Sequence, residues 1–323
     1  MPTPSQVFTE LVATTWRKHA KDTKDALTKN NALLRRLSKK GMTRTEDGGL
    51  TIVQALDYAN NSTYQRYSGY DVLNVGASDV LTAAEYQWRQ IAINVTASGQ
   101  ELRINNGGNK IINLAKAKIK NAHRTAKNNF SVDLYGDGTL TNQINGLQAL
   151  IADSGGGTIG GIDAGTWAFW KNKVQSAAAP IGGGAAVTPG PTTIEGLMLG
   201  LWLSLVRGDD KPDLIVTSND YFTLYEQSQL SIKRYTSSDE ADGGFISLKY
   251  KGADVIFDGG SGIPDSRMYF INSDYLSLVS HADADWTEMS HMQPYNQDAT
   301  VIPILWMGNM TCSNRMHQGV LKP

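Results

Sequence analysis

The residues whose types do chemistry elsewhere are few: five histidines (His19, His123, His281, His291 and His317), one cysteine (Cys312), and glycine-rich stretches at 155–161 and 182–184. Zinc held by a helix needs two ligands one turn apart on one face, and no two of these histidines are that close. His281, Asp283 and Asp285 alternate with alanines and offer nitrogen and oxygen ligands in principle. The later ligands and the turn glycine of a calcium loop are missing, so a surface turn is expected there. Gly155, Gly157 and Gly160 have the bare spacing of a dinucleotide-binding turn. That turn must follow a strand, open a helix and be followed by an acid about 20 residues on. Here Ile144, Leu147, Leu150 and Ile151 precede it at helical spacing and Pro180 occupies the acid's place, so the stretch reads as a loop. No Gly-x-Ser-x-Gly elbow and no Walker sequence occurs. No catalytic, metal or cofactor site is indicated, and the expectation is a protein that is not an enzyme.

The elements that would position any site are clearer. Of 323 residues 41% are hydrophobic and 19% charged, which supplies a sizeable core and excludes a mainly disordered chain. A lone cysteine permits no internal disulfide and fits folding in a reducing cytoplasm. The apolar runs, such as 194–206, are too short and interrupted to span a membrane, and the N-terminus lacks an apolar signal core. Net charge of −1 hides an asymmetry: residues 1–133 carry 19 basic against 11 acidic groups, and residues 134–323 carry 11 against 20. Such a dipolar chain suits nucleic acid, an acidic partner or the acidic half of another copy.

Residues 1–49 read as a basic arm of two thin amphipathic helices, with Phe8, Leu11 and Trp16 on one stripe and Arg35 and Arg36 among the charges. The arm docks either on its own domain or on a neighbour. From 50 to 98 the period becomes two, with Ile52, Leu56 and Tyr58 going out and Ile91, Ile93 and Val95 returning. The simplest structure is one long hairpin whose loop holds Tyr67, Tyr70, Asp71, Leu73 and Val75, with Tyr86 and Trp88 on the return. A two-stranded ribbon is marginal in water, so it must lie on another surface unless it belongs to an ordinary buried sheet. A long helix follows, striped by Ile111, Ala115, Ile119, Ala122, Ala126 and Phe130 and made basic by Lys110, Lys116, Lys118, Lys120, Arg124 and Lys127. Its few aromatics make it at most a non-specific phosphate surface. Beyond Gly138 come a helix opened by a Thr192-x-x-Glu195 capping box, strands at 214–217, 246–250, 253–257, 268–271 and 276–279, and a last strand from Val301 whose Pro303 belongs at an edge or bulge.

This succession of arm, hairpin, basic helix, mixed domain and final strand resembles the major capsid proteins of tailed double-stranded DNA phages, with the Hong Kong 97-type α+β fold. The likeness is carried by GIDAGTWAFWK (161–171), PDLIVTSNDY (212–221), YKGADVIFD (250–258) with RMYFIN (267–272), and NMTCSNRM (309–316). The resemblance implies an extended loop at 50–98 lying across a neighbouring subunit. It implies a peripheral domain at 99–134 and 298–323 with a spine helix, and an axial domain at 135–297. It implies self-assembly into pentamers and hexamers of an icosahedral head around double-stranded DNA, in a virion put together in the host cytoplasm. The partners implied are a separate scaffold protein, a portal and decoration proteins, with no membrane and no cofactor. An encapsulin-like compartment, and from another class a cytosolic α/β enzyme or binding protein, are the alternatives. Some members weld their shells through a lysine on the extended loop; no lysine lies between Lys40 and Lys110, so a shell without that bond is expected. The charge asymmetry suggests that the basic arm or helix of one copy meets acids of another near Asp209, Asp210, Asp239, Glu240 and Asp242.

Overall fold

Asn31 opens the body of the chain, its side-chain oxygen accepting the Leu34 N–H at 3.1 Å and so capping a helix that buries Leu33, Leu34 and Leu37. The structure is a computed structural model that describes residue 12 and residues 31–104, 108–229, 247–258, 262–290 and 292–323, with the backbone alone at 108–113, 115 and 247. Phe8, Leu11, Trp16, Asp239, Glu240 and Asp242 lie outside the described residues.

In chain order the elements are α1 (Ala32–Lys39), β1 (Thr43–Glu46), β2 (Ile52–Asp57), β3 (Leu81–Tyr86), β4 (Arg89–Ser98), α2 (Gly99–Ile104), α3 (Gly108–Tyr135) and α4 (Leu147–Leu150). There follow β5 (Thr158–Ile159), β6 (Ile162–Asp163), β7 (Lys173–Ser176), α5 (Ile194–Leu205), β8 (Leu214–Thr217), α6 (Asn219–Gln229), β9 (Ser247–Tyr250) and β10 (Ala253–Phe257). The last strands are β11 (Met268–Ile271), β12 (Leu276–Glu288), β13 (Ala299–Cys312) and β14 (Gly319–Lys322). They build two main sheets, in the orders β1-β12-β13-β4 and β7-β14-β11-β8-β10-β9, and two small hairpins, β2-β3 and β5-β6.

The long helix α3 lies against the four-stranded sheet. Ile119, Ala122, Ala126 and Phe130 are buried as their spacing demands, and Phe130 meets the Trp306 and Trp286 rings edge-on at 4.9 and 5.8 Å. At about 1.5 Å per residue its length is roughly 42 Å. The six-stranded sheet has a core on each face. α5 and α6 cover one with Ile215, Val255, Phe270 and Leu321, while Leu214, Val216, Tyr269 and Val320 join the core shared with α3 and the four-stranded sheet.

Several expectations are corrected. The return strand does not pair with the outgoing one along its length: β3 pairs with β2, but β4, carrying Ile91, Ile93 and Val95, pairs with β13. Between the two strands the Asn309 amide donates to the Gln87 carbonyl at 2.8 Å. Alternation fixes which face a side chain takes and leaves the partner strand open. The expected division at 297/298 is crossed twice, since β12 lies in the four-stranded sheet and the C-terminal β14 in the six-stranded one. The Thr192/Glu195 box does not form: Thr193 occupies the cap, and Glu195 instead accepts from Ser228 and Gln229 at the end of α6. His281 to Asp285 spans a register shift within β12, so it is a bulged strand and not a turn. Pro303 sits on an inner strand, one residue past the last β12 partner at Ile304.

Gly308 marks the closest backbone approach in the four-stranded sheet. A Cβ there would meet the Val279 carbonyl oxygen at 2.2 Å and the Trp306 ring at 2.7 Å, and neither can retreat. Gly308→Ala is expected to cost about 3 kcal/mol through overpacking, read as a lowered urea midpoint with an unchanged slope.

Candidate assembly surfaces

The β2-β3 ribbon has two different halves. At its root the inward residues Ile52, Leu56, Ala84 and Tyr86 are buried on the chain's own core, and the Tyr86 hydroxyl donates to the Cys312 carbonyl at 2.8 Å. Burial pushes the Cys312 thiol up to about 12, which leaves it inert near neutral pH. Glu85 N–H donates to the Gly160 carbonyl at 2.9 Å, so the turn of the β5-β6 hairpin pins the outer strand. Tyr86, expected on an intersubunit strap, is therefore core. Trp88 likewise belongs to the body: its indole N–H donates to the Gly49 carbonyl at 3.0 Å and its ring lies edge-on to His281.

Beyond the root, residues 58–80 continue the hairpin without a regular ladder. Side chains replace it. Ser78 Oγ accepts the Ser62 N–H at 3.1 Å, Gln65 accepts the Asn74 N–H at 2.9 Å while donating to the Val72 carbonyl at 3.0 Å, and Asp71 accepts the Ser68 N–H at 2.8 Å beside the tip at Gly69 and Tyr70. Gly69, at φ 52°, makes the left-handed turn there. Two limbs of about eleven residues at ~3.3 Å each reach up to about 36 Å from the root.

The polar side chains thus face inward across the limbs, and the apolar ones face out. Tyr64, Tyr67, Tyr70, Val72, Leu73 and Val75 are all exposed, Tyr70 fully so. Of these the sequence reading names Tyr67, Tyr70, Leu73 and Val75 for the loop and leaves out Tyr64 and Val72; the signal for both is the run of apolar residues in a stretch with no core of its own. A further exposed apolar pair, Leu199 and Leu203, lies one turn apart on α5.

The charges divide between internal and external use. In the arm, Arg36 pairs with Asp254, and Lys40 with Asp213 at 3.2 Å and Asp274 at 2.8 Å, fastening α1 to the six-stranded sheet of its own chain. Arg35, beside it, is half-buried on the same helix. The described end of the arm is therefore fastened to its own chain. Asp210 is also engaged internally, accepting from the Tyr275 hydroxyl at 2.9 Å, whereas Asp209 is exposed. On α3, Lys118 is tied to the Thr96 carbonyl and to Glu101, which it holds below the usual carboxylate range. Lys116, Lys120 and Arg124 are exposed and Lys127 half-exposed, leaving an outward basic strip; the Lys110 side chain lies outside the described residues. Among the described residues no three metal-binding side chains converge, and no helix is long and apolar enough to cross a membrane.

No protein-family model and no curated protein sequence matches the chain. Solved structures do match. The capsid asymmetric unit of cyanophage A-1(L) superposes with a TM-score of 0.63 at 15% identity, over 88% of this chain and 91% of that one. The fold is the Hong Kong 97-type capsid fold. The capsid of Myoviridae phage XM1 agrees, with a TM-score of 0.53 at 11% identity over 88% of this chain and 91% of the other. So does the holo-SrpI encapsulin complex from Synechococcus elongatus PCC 7942, at 0.54 and 8% identity over 90% and 88%.

Proposed function

We propose that the chain is the major shell subunit of a tailed-phage head, assembling with itself into pentamers and hexamers that enclose double-stranded DNA. The carrying observation is the strap at 58–80, stapled by polar side chains within and apolar without, which gains buried area only when another surface covers it. Heterologous contacts of this kind close into rings, and repeated modest contacts give a shell its stability. The domain roles follow: the four-stranded sheet with α3 forms the periphery, and the six-stranded sheet with α5 and α6 the axial part. The exposed basic strip of α3 gives sequence-independent phosphate contact to the packaged duplex. The role is structural, in the virion. A scaffold protein, a portal and decoration proteins complete the partners, and assembly takes place in the host cytoplasm.

Electron microscopy of the purified full chain, alone and with crowding agent, tests this. Closed shells or capsomer rings are expected. Particles that stay monomeric up to millimolar concentration would refute it, and shells filled with protein in place of nucleic acid would turn the reading to an encapsulin-like compartment.

A further inference from the structure

A strap that carries its apolar residues at the tip needs an acceptor, and the root of the same ribbon has the matching chemistry. There, Tyr58 packs against Trp167 and Phe169 with ring centroids 6.0 and 5.3 Å apart. Two clefts of about 440 and 240 Å³ open on either side of Tyr58 and Phe169. The larger is bordered by Asp57, Asn60, Asn61, Asn314 and Arg207, the smaller by Asp79 and the half-exposed Trp167. Arg207 and Asp79 make no ion pair among the described residues. An aromatic floor rimmed by amides and unpaired charges suits a tyrosine, whose ring seeks apolar contact and whose hydroxyl seeks a hydrogen-bond partner. The tip offers three tyrosines together with Arg66 and Asp71, whose charges are opposite to those of Asp79 and Arg207.

We propose that the tip of one copy's strap, centred on Tyr67 and Tyr70, seats in the aromatic cleft at the ribbon root of the next copy. This rests on the shell reading and names the surface that receives the strap. A copy cannot fill its own cleft, because the Ser62–Ser78 and Gln65–Asn74 bridges hold the two limbs together and carry the tip away from the root. The reach of about 36 Å is comparable with the spacing of neighbouring bodies of this size, whose radius of gyration is about 20 Å. Each copy then gives one tip and accepts one, a head-to-tail contact that closes into a ring.

The test is a chain carrying Ser68→Cys, beside the tip with its tyrosines kept, and Asn60→Cys, both at exposed positions, assembled and then mildly oxidised; the native Cys312 is buried and takes no part. Denaturing electrophoresis is expected to show a covalent ladder up to pentamers and hexamers, while each single variant gives at most dimers. Shells visible by electron microscopy without a ladder overturn the tip-to-root contact and leave the shell reading standing. Neither shells nor a ladder, with the wild type also failing to assemble, overturns both.

Discussion

Replacing Tyr67, Tyr70, Val72 and Val75 together by serine is expected to abolish shell formation at concentrations where the wild type assembles fully, without unfolding the subunit. The four side chains are exposed in the single chain and touch no core, so removing them leaves the folded state's packing as it was. On assembly each would bury apolar surface worth roughly 1.5–3 kcal/mol if covered completely. Partial coverage and ordering costs reduce this, and a total near 4 kcal/mol per strap is a reasonable expectation, a factor of about a thousand in the contact's equilibrium constant. Every subunit gives one strap and receives one, so the loss is repeated around each ring. Light scattering against concentration measures the effect, and circular dichroism with a urea titration controls for folding. Shells at wild-type concentration from a well-folded variant would show that the strap contributes little.

How far these features were legible in the sequence depends on whether they are local. The stripe of Ile119, Ala122, Ala126 and Phe130 is written at helical spacing and is buried as written. The Lys251-Gly252 turn between β9 and β10 is also local, with both residues at positive φ as a tight hairpin requires. The contrast inside the strap could be read as apolar residues with nowhere of their own to go. What escaped was pairing at long range. Ile91, Ile93 and Val95 alternate equally well whether they face β2 or β13, and the strand that pairs with them is β13, more than 200 residues away. The final strand β14 joins the six-stranded sheet, where Gly319 passes beneath Leu201 and Leu205 and a Cβ would come within 2.9 Å of both. Arg36 read as a free cation of a basic arm and is instead committed to Asp254, a partner on a distant strand. In each case the sequence shows what a side chain offers, and only the fold shows which partner reaches it first.

Arg315 is the strongest example, since its partners lie more than 140 residues away, and its replacement is expected to weaken the fold strongly. It is fully buried and has no carboxylate partner in ion-pair range among the described residues. Its Nε donates to the Leu150 carbonyl at 2.8 Å, and one terminal nitrogen donates to the Gly156 carbonyl and to Asn172 Oδ1, both at 3.1 Å. The planar fork thereby joins the end of α4, the glycine loop and the segment leading into β7, three pieces of backbone that no sheet connects. Burial of the guanidinium costs desolvation energy and pulls its pKa down, so removing the charge recovers something. Against that, Arg315→Met leaves the buried Leu150 carbonyl and Asn172 Oδ1 and the half-buried Gly156 carbonyl without this donor, at about 1–3 kcal/mol each, and after the recovered desolvation the losses win by a net of about 3 kcal/mol. Lysine should not rescue, because an ammonium on a flexible stem cannot span acceptors placed for a fork. The consequence travels to assembly: the glycine loop leads into the β5-β6 turn, whose Gly160 carbonyl accepts the Glu85 N–H and whose backbone rests on Ala84 of the ribbon root. Hydrogen exchange of the Glu85 amide should therefore quicken in Arg315→Met well below the unfolding midpoint. Unchanged protection there, in a variant destabilised as expected, would separate the arginine's role in stability from any role in aiming the strap.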